Sequence, residues 1–240
     1  MERLDCLLVK NGLFPSRQKA IEAIKGGNIS VDGKVLTKAG EKVDESVKIC
    51  VSGNTLKYVS RGGFKLEHAI KEFSINLTDK VVLDMGSSTG GFTDCALQNG
   101  AKKVFAVDVG SNQLVESIKT DARVVAMENT DIRNLPKIVF DECDFIVGDL
   151  SFISIIKILE GISYNISNQK LVLLIKPQFE MGVELSRKFK GVIRDFALSK
   201  KICDETLAKI KDLGFVIHSV SQSPIKGGDG NTEFVALISK

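Results

Sequence analysis

Residues 80–94 read KVVLDMGSSTGGFTD. Val81, Val82 and Leu83 form a short continuous apolar run, as expected of a strand buried on both faces of a parallel sheet. Asp84 ends the run. Gly86, Gly90 and Gly91 then allow the backbone to turn tightly and approach a ligand closely, and Phe92 to Leu97 resumes with helical character. Strand, glycine-rich loop and helix in that order open a nucleotide-binding sheet, with the ligand beyond the strand's carboxyl end. The glycines follow a G-x-x-x-G-G spacing after an acid, unlike the G-x-G-x-x-G dinucleotide fingerprint. An acid at the strand tip suits a cationic ligand, such as the amino-acid portion of S-adenosylmethionine, better than a pyrophosphate. A tight turn without a ligand would need neither the acid nor three glycines.

Downstream of this unit, strands and helices alternate. Strands are expected over 81–85, 104–107, 124–127, 145–147, 171–175, 216–220 and 234–238, with helices near 92–99, 112–119, 153–161 and 197–212. Such alternation predicts an α/β domain, a Rossmann-like parallel sheet with helices on both faces. The last two strands are joined by SQSPIKGGDGNTE without a helix, which predicts an antiparallel pair at the sheet edge. That ending fits a methyltransferase sheet and not a standard dinucleotide domain. Upstream, RGGFKLEHAIKEF predicts an amphipathic helix with Leu66, Ala69, Ile70 and Phe73 on one face.

Polar residues recur where the strands end. Asp108 follows the second strand, where an acid meets ribose hydroxyls in nucleotide-binding sheets. Asn129, Thr130 and Asp131 follow the third strand, and Asp149 follows the fourth. All project toward one rim. Lys176 follows the fifth strand, with Pro177 holding it extended. A lysine at a buried strand tip needs an acidic neighbour, and Asp149 is at the adjacent tip.

Composition is that of a soluble globular protein: 240 residues, 43% apolar and 26% charged, long enough for one large and one small domain. No apolar run approaches bilayer length, and MERLDCLLVK does not read as a secretory signal. Five scattered cysteines without a C-x-x-C pair suggest reduced thiols and a cytoplasmic location. His68 and His218 lack ligand spacing, so no metal site is expected. The net charge of +3 sits in residues 1–57, with ten Lys/Arg against seven Asp/Glu; the remainder holds 23 of each. That asymmetry points to a polyanionic partner for the N-terminal quarter.

In that quarter, Leu4, Leu7 and Leu8 predict one helix. Pro15 and Ser16 open a second through Ile24, with Ser16 as its cap. Strands are expected at 29–31 and near 47–51, with a tight turn at Asp32-Gly33. ERLDCLLVKNGLFPSRQKAIEAIKGGNISVDGKVLTKAG resembles the S-four domain, a small α+β RNA-binding module. The resemblance implies RNA contacts at Ser16, Arg17, Lys19 and Lys34, next to Val31 and Gly33. The expected division is an RNA-binding domain over 1–52, a linker over 53–60 and a methyltransferase domain over 61–240.

SRGGFKL (60–66), DMGSSTGGFTD (84–94), VDVGSNQL (107–114), GDLSFIS (148–154), LIKPQFE (174–180), KGVIRD (190–195) and GNTEF (230–234) together resemble the TlyA family. Its members join an S-four domain to a methyltransferase domain similar to the FtsJ/RrmJ ribose methyltransferases, and have often been labelled hemolysins. The resemblance implies S-adenosyl-L-methionine-dependent 2′-O-methylation of ribosomal RNA, at cytidine, by a monomer acting on ribosomal subunits. It also implies a catalytic tetrad of Lys65, Asp149, Lys176 and Glu233. Cofactor contacts carry over to Asp84, Gly86, Ser88, Gly90, Asp108 and Asp131. Departures are the absence of a tryptophan in the interdomain segment Thr55-Leu56-Lys57-Tyr58-Val59, the absence of an aromatic in GSNQL, and Asp131 where many relatives carry Asn. A non-catalytic RNA-binding or assembly factor with a vestigial cofactor site is the alternative; a membrane-active hemolysin finds no support in the sequence.

Overall fold

The structure is a computed structural model, and it describes all residues except 12, 15, 52–56, 190 and 228. Contacts divide the chain into Met1–Thr55 and Leu56–Lys240. Pro15 and residues 53–56 of the expected linker lie outside the described residues.

The first unit contains β1 (Glu2–Arg3), α1 (Leu4–Lys10), α2 (Arg17–Lys25), β2 (Ile29–Val31), β3 (Lys34–Val35), β4 (Lys42–Val43) and β5 (Ile49–Val51). Ser16 caps α2 as expected, its hydroxyl accepting from the Lys19 amide at 3.3 Å. β2 pairs antiparallel with β3 through Asp32 and Gly33, both at positive φ, the backbone a two-residue hairpin requires. Leu4, Leu7, Leu8, Ala20, Ile24 and Ile29 form its buried core.

The second unit follows chain order as α3 (Gly62–Glu72), β6 (Val81–Met85), α4 (Gly91–Gln98), β7 (Lys103–Val107), α5 (Glu116–Lys119), β8 (Val124–Met127), α6 (Lys137–Asp141) and β9 (Phe145–Gly148). It continues with α7 (Ile155–Ile162), β10 (Lys170–Ile175), α8 (Pro177–Glu180), α9 (Val183–Phe189), α10 (Phe196–Asp212), β11 (Val216–Gln222) and β12 (Phe234–Ser239). The seven-stranded order is β11-β12-β10-β9-β6-β7-β8. β10, β9, β6, β7 and β8 run parallel, and β12 pairs antiparallel with both β10 and β11.

Both faces of this sheet are covered, which is why β6 reads as an unbroken apolar run. Val81, Leu83 and Met85 enter the core on one side, with Ile146 and Leu173; Val82 enters the other, with Phe92, Ala96 and Val147. Asp84 shares a face with Val82 by the two-residue alternation and so lies beneath α4.

Residues 57–60, expected as the end of a linker, pack within this unit. Tyr58 is buried edge-on to Phe64, the Val59 amide donates to Asp94 at 2.8 Å, and the Gln98 side chain donates to the Lys57 carbonyl. Gly63 makes room for Tyr58, since a Cβ there would come within 2.3 Å of its ring. Among the described residues, no helix is long and apolar enough to cross a membrane.

Candidate active site

Four charged side chains converge at the carboxyl ends of the central strands. Asp149 follows β9 and Lys176 follows β10. Glu233 precedes β12, whose first residue Phe234 pairs with Ile175, so the antiparallel register delivers Glu233 to the same rim. Lys65 reaches in from α3. Lys65 Nζ lies 2.6 Å from Glu233 Oε2 and 3.0 Å from Asp149 Oδ2, and Lys176 Nζ lies 2.7 Å from Asp149 Oδ1. The chain Glu233–Lys65–Asp149–Lys176 is formally neutral. This matters because its side chains are only 2%, 9%, 18% and 7% exposed. Charges this dry persist only when paired.

Burial works against the charge on Asp149, yet Lys176 and Lys65 outweigh it and hold the carboxyl below the ordinary range. Burial likewise opposes the Lys65 ammonium, and Asp149 and Glu233 together raise its pKa above the usual lysine value. Lys176 Nζ also donates to the Ser151 hydroxyl at 2.8 Å and to the Asp149 carbonyl at 3.4 Å.

A cleft of about 580 Å³ opens beside this chain, lined by Gly86, Ser88, Asp108, Asp131, Asp149 and Ser151 among others. Asp108 joins two loops: one oxygen accepts from the Ser88 amide at 2.8 Å and the other from the Gly110 amide at 2.7 Å. Asp131 caps a single 3-10 turn and holds the Arg133 guanidinium with both oxygens. Asp84 does not line the cleft; it is fully buried. One oxygen accepts from the Thr93 hydroxyl at 2.6 Å, and its Oδ1, like the nearby Ser87 hydroxyl, has no hydrogen-bond partner. Burial pushes the Asp84 carboxyl up to about 7, against the pull of Thr93.

The glycines divide their labour differently from the sequence expectation. Gly86 lines the cleft at positive φ. Gly90 turns the chain at φ 96°, but its Cβ position faces Leu114 and Ile118 at 3.1 Å, not the cleft. Gly91 lets α4 approach α3, where a Cβ would meet Ser60 Oγ at 2.1 Å.

Two cleft residues escaped the sequence reading although both sit in the quoted GDLSFIS motif. Ser151 holds Lys176. Phe152 is 91% exposed, adopts a positive φ of 65°, and leans on Phe179 with ring centroids 5.4 Å apart. A bulky residue with positive φ is a genuine outlier, and sequence carries no sign of it.

In the first unit, Arg17 is not simply presented to solvent. Its guanidinium and that of Arg3 both bind the buried carboxylate of Asp5, at 2.9 and 3.0 Å. Hydrogen bonding from Arg3 outweighs burial and, with Arg17, holds Asp5 at about 2. Lys34 is exposed on β3 and Lys19 half-exposed on α2. Among the described residues no group of three His, Cys, Asp or Glu is placed to hold a metal ion.

A buried carboxyl with one unpartnered oxygen, two residues before a glycine that lines a polar cleft, fits a ligand with a cationic amino group, and S-adenosylmethionine is such a ligand. The fold and this site define a methyltransferase. The FtsJ-like methyltransferase family matches residues 58–240, and the S4 (S-four) domain matches residues 2–49. Hemolysin A of Brachyspira hyodysenteriae is 44% identical, over 98% of each chain. The 16S/23S rRNA (cytidine-2′-O)-methyltransferase TlyA of Mycobacterium tuberculosis is 37% identical, over 97% of this chain and 87% of that protein. A solved structure from Streptococcus thermophilus that carries a hemolysin name superimposes with a TM-score of 0.76 at 40% identity, covering 100% of this chain and 88% of that one. The chain belongs to the TlyA family of S4-bearing, FtsJ-like methyltransferases.

Proposed function

We propose that this protein methylates a ribose 2′-hydroxyl of ribosomal RNA, on cytidine, using S-adenosylmethionine. The observation that carries this reading is the dry, neutral chain Glu233–Lys65–Asp149–Lys176 at the edge of the cofactor cleft. Asp84 is the counter-charge for the cofactor's amino group, with Gly86, Ser88 and Gly90 shaping the loop above it. Each Asp108 oxygen spends one lone pair on a backbone amide and keeps another for a ribose hydroxyl. Asp131, with Arg133, borders the adenine end of the cleft. When bound, the cofactor supplies an electrophilic methyl group on a sulfonium.

The protein's own residues position the nucleophile. Lys176 directs the ribose hydroxyl and, as the amine left after giving one proton to solvent, takes the hydroxyl's proton as the oxygen bonds to the methyl group and the sulfonium leaves as a thioether. Asp149 fixes the lysine's orientation, while Lys65 and Glu233 hold Asp149 and the ribose. Positioning of this kind supplies much of the acceleration in a displacement reaction. Phe152, an exposed ring at the cleft, gives an unstacked base a surface to lie on. In the first unit, Ser16, Arg17, Lys19 and Lys34 contact RNA phosphates. The enzyme acts as a cytoplasmic monomer with an RNA-binding domain over 1–52 and a catalytic domain over 61–240. Ribosomal RNA from cells with and without the gene tests the proposal. An alkali-resistant linkage present only with the gene supports it, and identical ribose methylation in both refutes it.

A further inference from the structure

Glu180 ends α8, four residues after Lys176, and has no part in the chemistry described above. Its Oε2 accepts from the Ser154 hydroxyl at 2.6 Å and its Oε1 from the Ile155 amide at 2.7 Å. Ser154 and Ile155 follow Asp149 closely and open α7. Two further contacts join the same pair of turns: the Phe152 and Phe179 rings, and Lys176 with Asp149 and Ser151. Ser154 caps α7 only in part: its hydroxyl accepts from the Ile156 amide at 3.2 Å, and the Ile155 amide is left to Glu180. α10 shows the simpler solution, with Asp195 capping it locally. The carboxyl is also held above its ordinary range by burial, against the Ser154 and Ile155 hydrogen bonds. The start of α7 is thus closed by a half-buried acid from a different turn and not by a local residue alone.

We propose that Glu180 is a positioning residue for methyl transfer. It fastens the 149–154 turn to the 176–180 turn and so sets the Lys176–Asp149 pair and the Phe152 ring in register. The turn it fastens carries Phe152 at positive φ, a conformation that survives only where the surroundings over-determine it. The inference rests on Lys176 and Asp149 being the reaction centre.

The test is single-turnover methylation of unmodified ribosomal subunits with saturating labelled S-adenosylmethionine, alongside cofactor affinity by calorimetry and folded fraction by circular dichroism. Glu180→Gln can still accept from the Ile155 amide while its NH₂ group donates to Ser154, so its rate stays within roughly threefold of the parent. Glu180→Met removes both acceptors, and its rate per folded molecule falls roughly tenfold to a hundredfold. Cofactor affinity changes little in either variant. A Met variant with the parental rate per folded molecule overturns the proposal, because Glu180 would then serve stability alone. A Gln variant as slow as the Met variant also overturns it, since charge and not fastening would matter. If the Met variant does not fold, Ser154→Ala carries the test: a fall of roughly threefold to tenfold supports the fastening role and an unchanged rate refutes it. Lys176→Ala, measured in parallel, separates the two levels. Its retaining full rate removes the reaction-centre reading, whereas its failure beside a fully active Met variant removes only this inference.

Discussion

Lys176 Nζ stands 2.7 Å from Asp149 Oδ1 with the lysine side chain 7% exposed. Its remaining donors meet Ser151 and the Asp149 carbonyl, so the amine is oriented before any substrate arrives. Ser151 lines the cleft, and on the proposed mechanism it is the partner that a ribose hydroxyl replaces. Lys176→Ala should therefore lose about two to four orders of magnitude in single-turnover rate, the range for a positioned acid–base group, with cofactor and RNA affinities little changed. Lys176→Arg should fail almost as badly, because guanidinium keeps its proton. Near-normal methylation by the arginine variant would show that Lys176 only places charge.

Asp84 should make cofactor binding pH-dependent. Its carboxyl is held near 7 by burial, above its ordinary 3.8. The folded protein therefore favours the protonated acid, and this contribution to stability is present at low pH and lost as pH rises through about 7. A cationic ligand favours the ionised form, so S-adenosylmethionine affinity should rise from about pH 5.5 to 7.5, with proton release on binding. The window ends below the roughly 7.7–8.0 at which an α-amino group loses its charge. Calorimetry in buffers of different ionisation enthalpy measures the proton directly. Asp84→Asn should bind weakly, with a flat profile.

Phe152 predicts a separation of stability from activity. Its positive φ costs on the order of 1–3 kcal/mol, which Phe152→Gly should partly recover as a higher melting temperature. The same change removes an exposed ring, and stacking on such rings is worth about 1–3 kcal/mol per base. Methylation at subsaturating RNA should fall accordingly, and Phe152→Trp should retain it. A glycine variant that is both more stable and fully active would exclude the stacking role.

Arg17 predicts a change in salt dependence. Arg17→Ala should weaken RNA binding and reduce the log–log salt slope by roughly 0.7–0.9 for each phosphate that the guanidinium neutralises. Because Arg17 and Arg3 share the buried Asp5 carboxylate, the folded state of the variant should be checked by circular dichroism. An unaltered slope in a folded variant would mean that Arg17 serves Asp5 and not RNA.

Much of this was readable from local pattern. The β6 run, the Ser16 cap and the Asp32-Gly33 turn all follow from residues close in sequence, whereas Asp84, expected at the strand's tip, lies inside β6. The Lys176–Asp149 pairing followed from two adjacent strand tips. Other features depend on register between distant segments. Glu233 reaches Lys65 only because β12 runs antiparallel beside β10. Whether a glycine faces a ligand or a neighbouring helix is likewise invisible locally, and so Gly90 and Gly91 turned out to face Leu114, Ile118 and Ser60. Arg133 on Asp131 and Arg3 with Arg17 on Asp5 are side-chain choices that no periodicity encodes. The two-residue strands β1, β3 and β4 and the polar helix α9 are too short or too charged to announce themselves by hydrophobic period.

The Glu233–Lys65–Asp149–Lys176 chain is expected to carry out 2′-O-methyl transfer to ribosomal RNA. The most direct test is to incubate unmodified ribosomal subunits with the protein and S-adenosylmethionine, then map ribose methylation at nucleotide resolution by mass spectrometry. Stoichiometric methylation at the 2′-oxygen of a cytidine is expected, slowed by about two to four orders of magnitude by Lys176→Ala in a protein that still binds cofactor and RNA. RNA binding without any methyl transfer, or methyl groups found on bases, would contradict it.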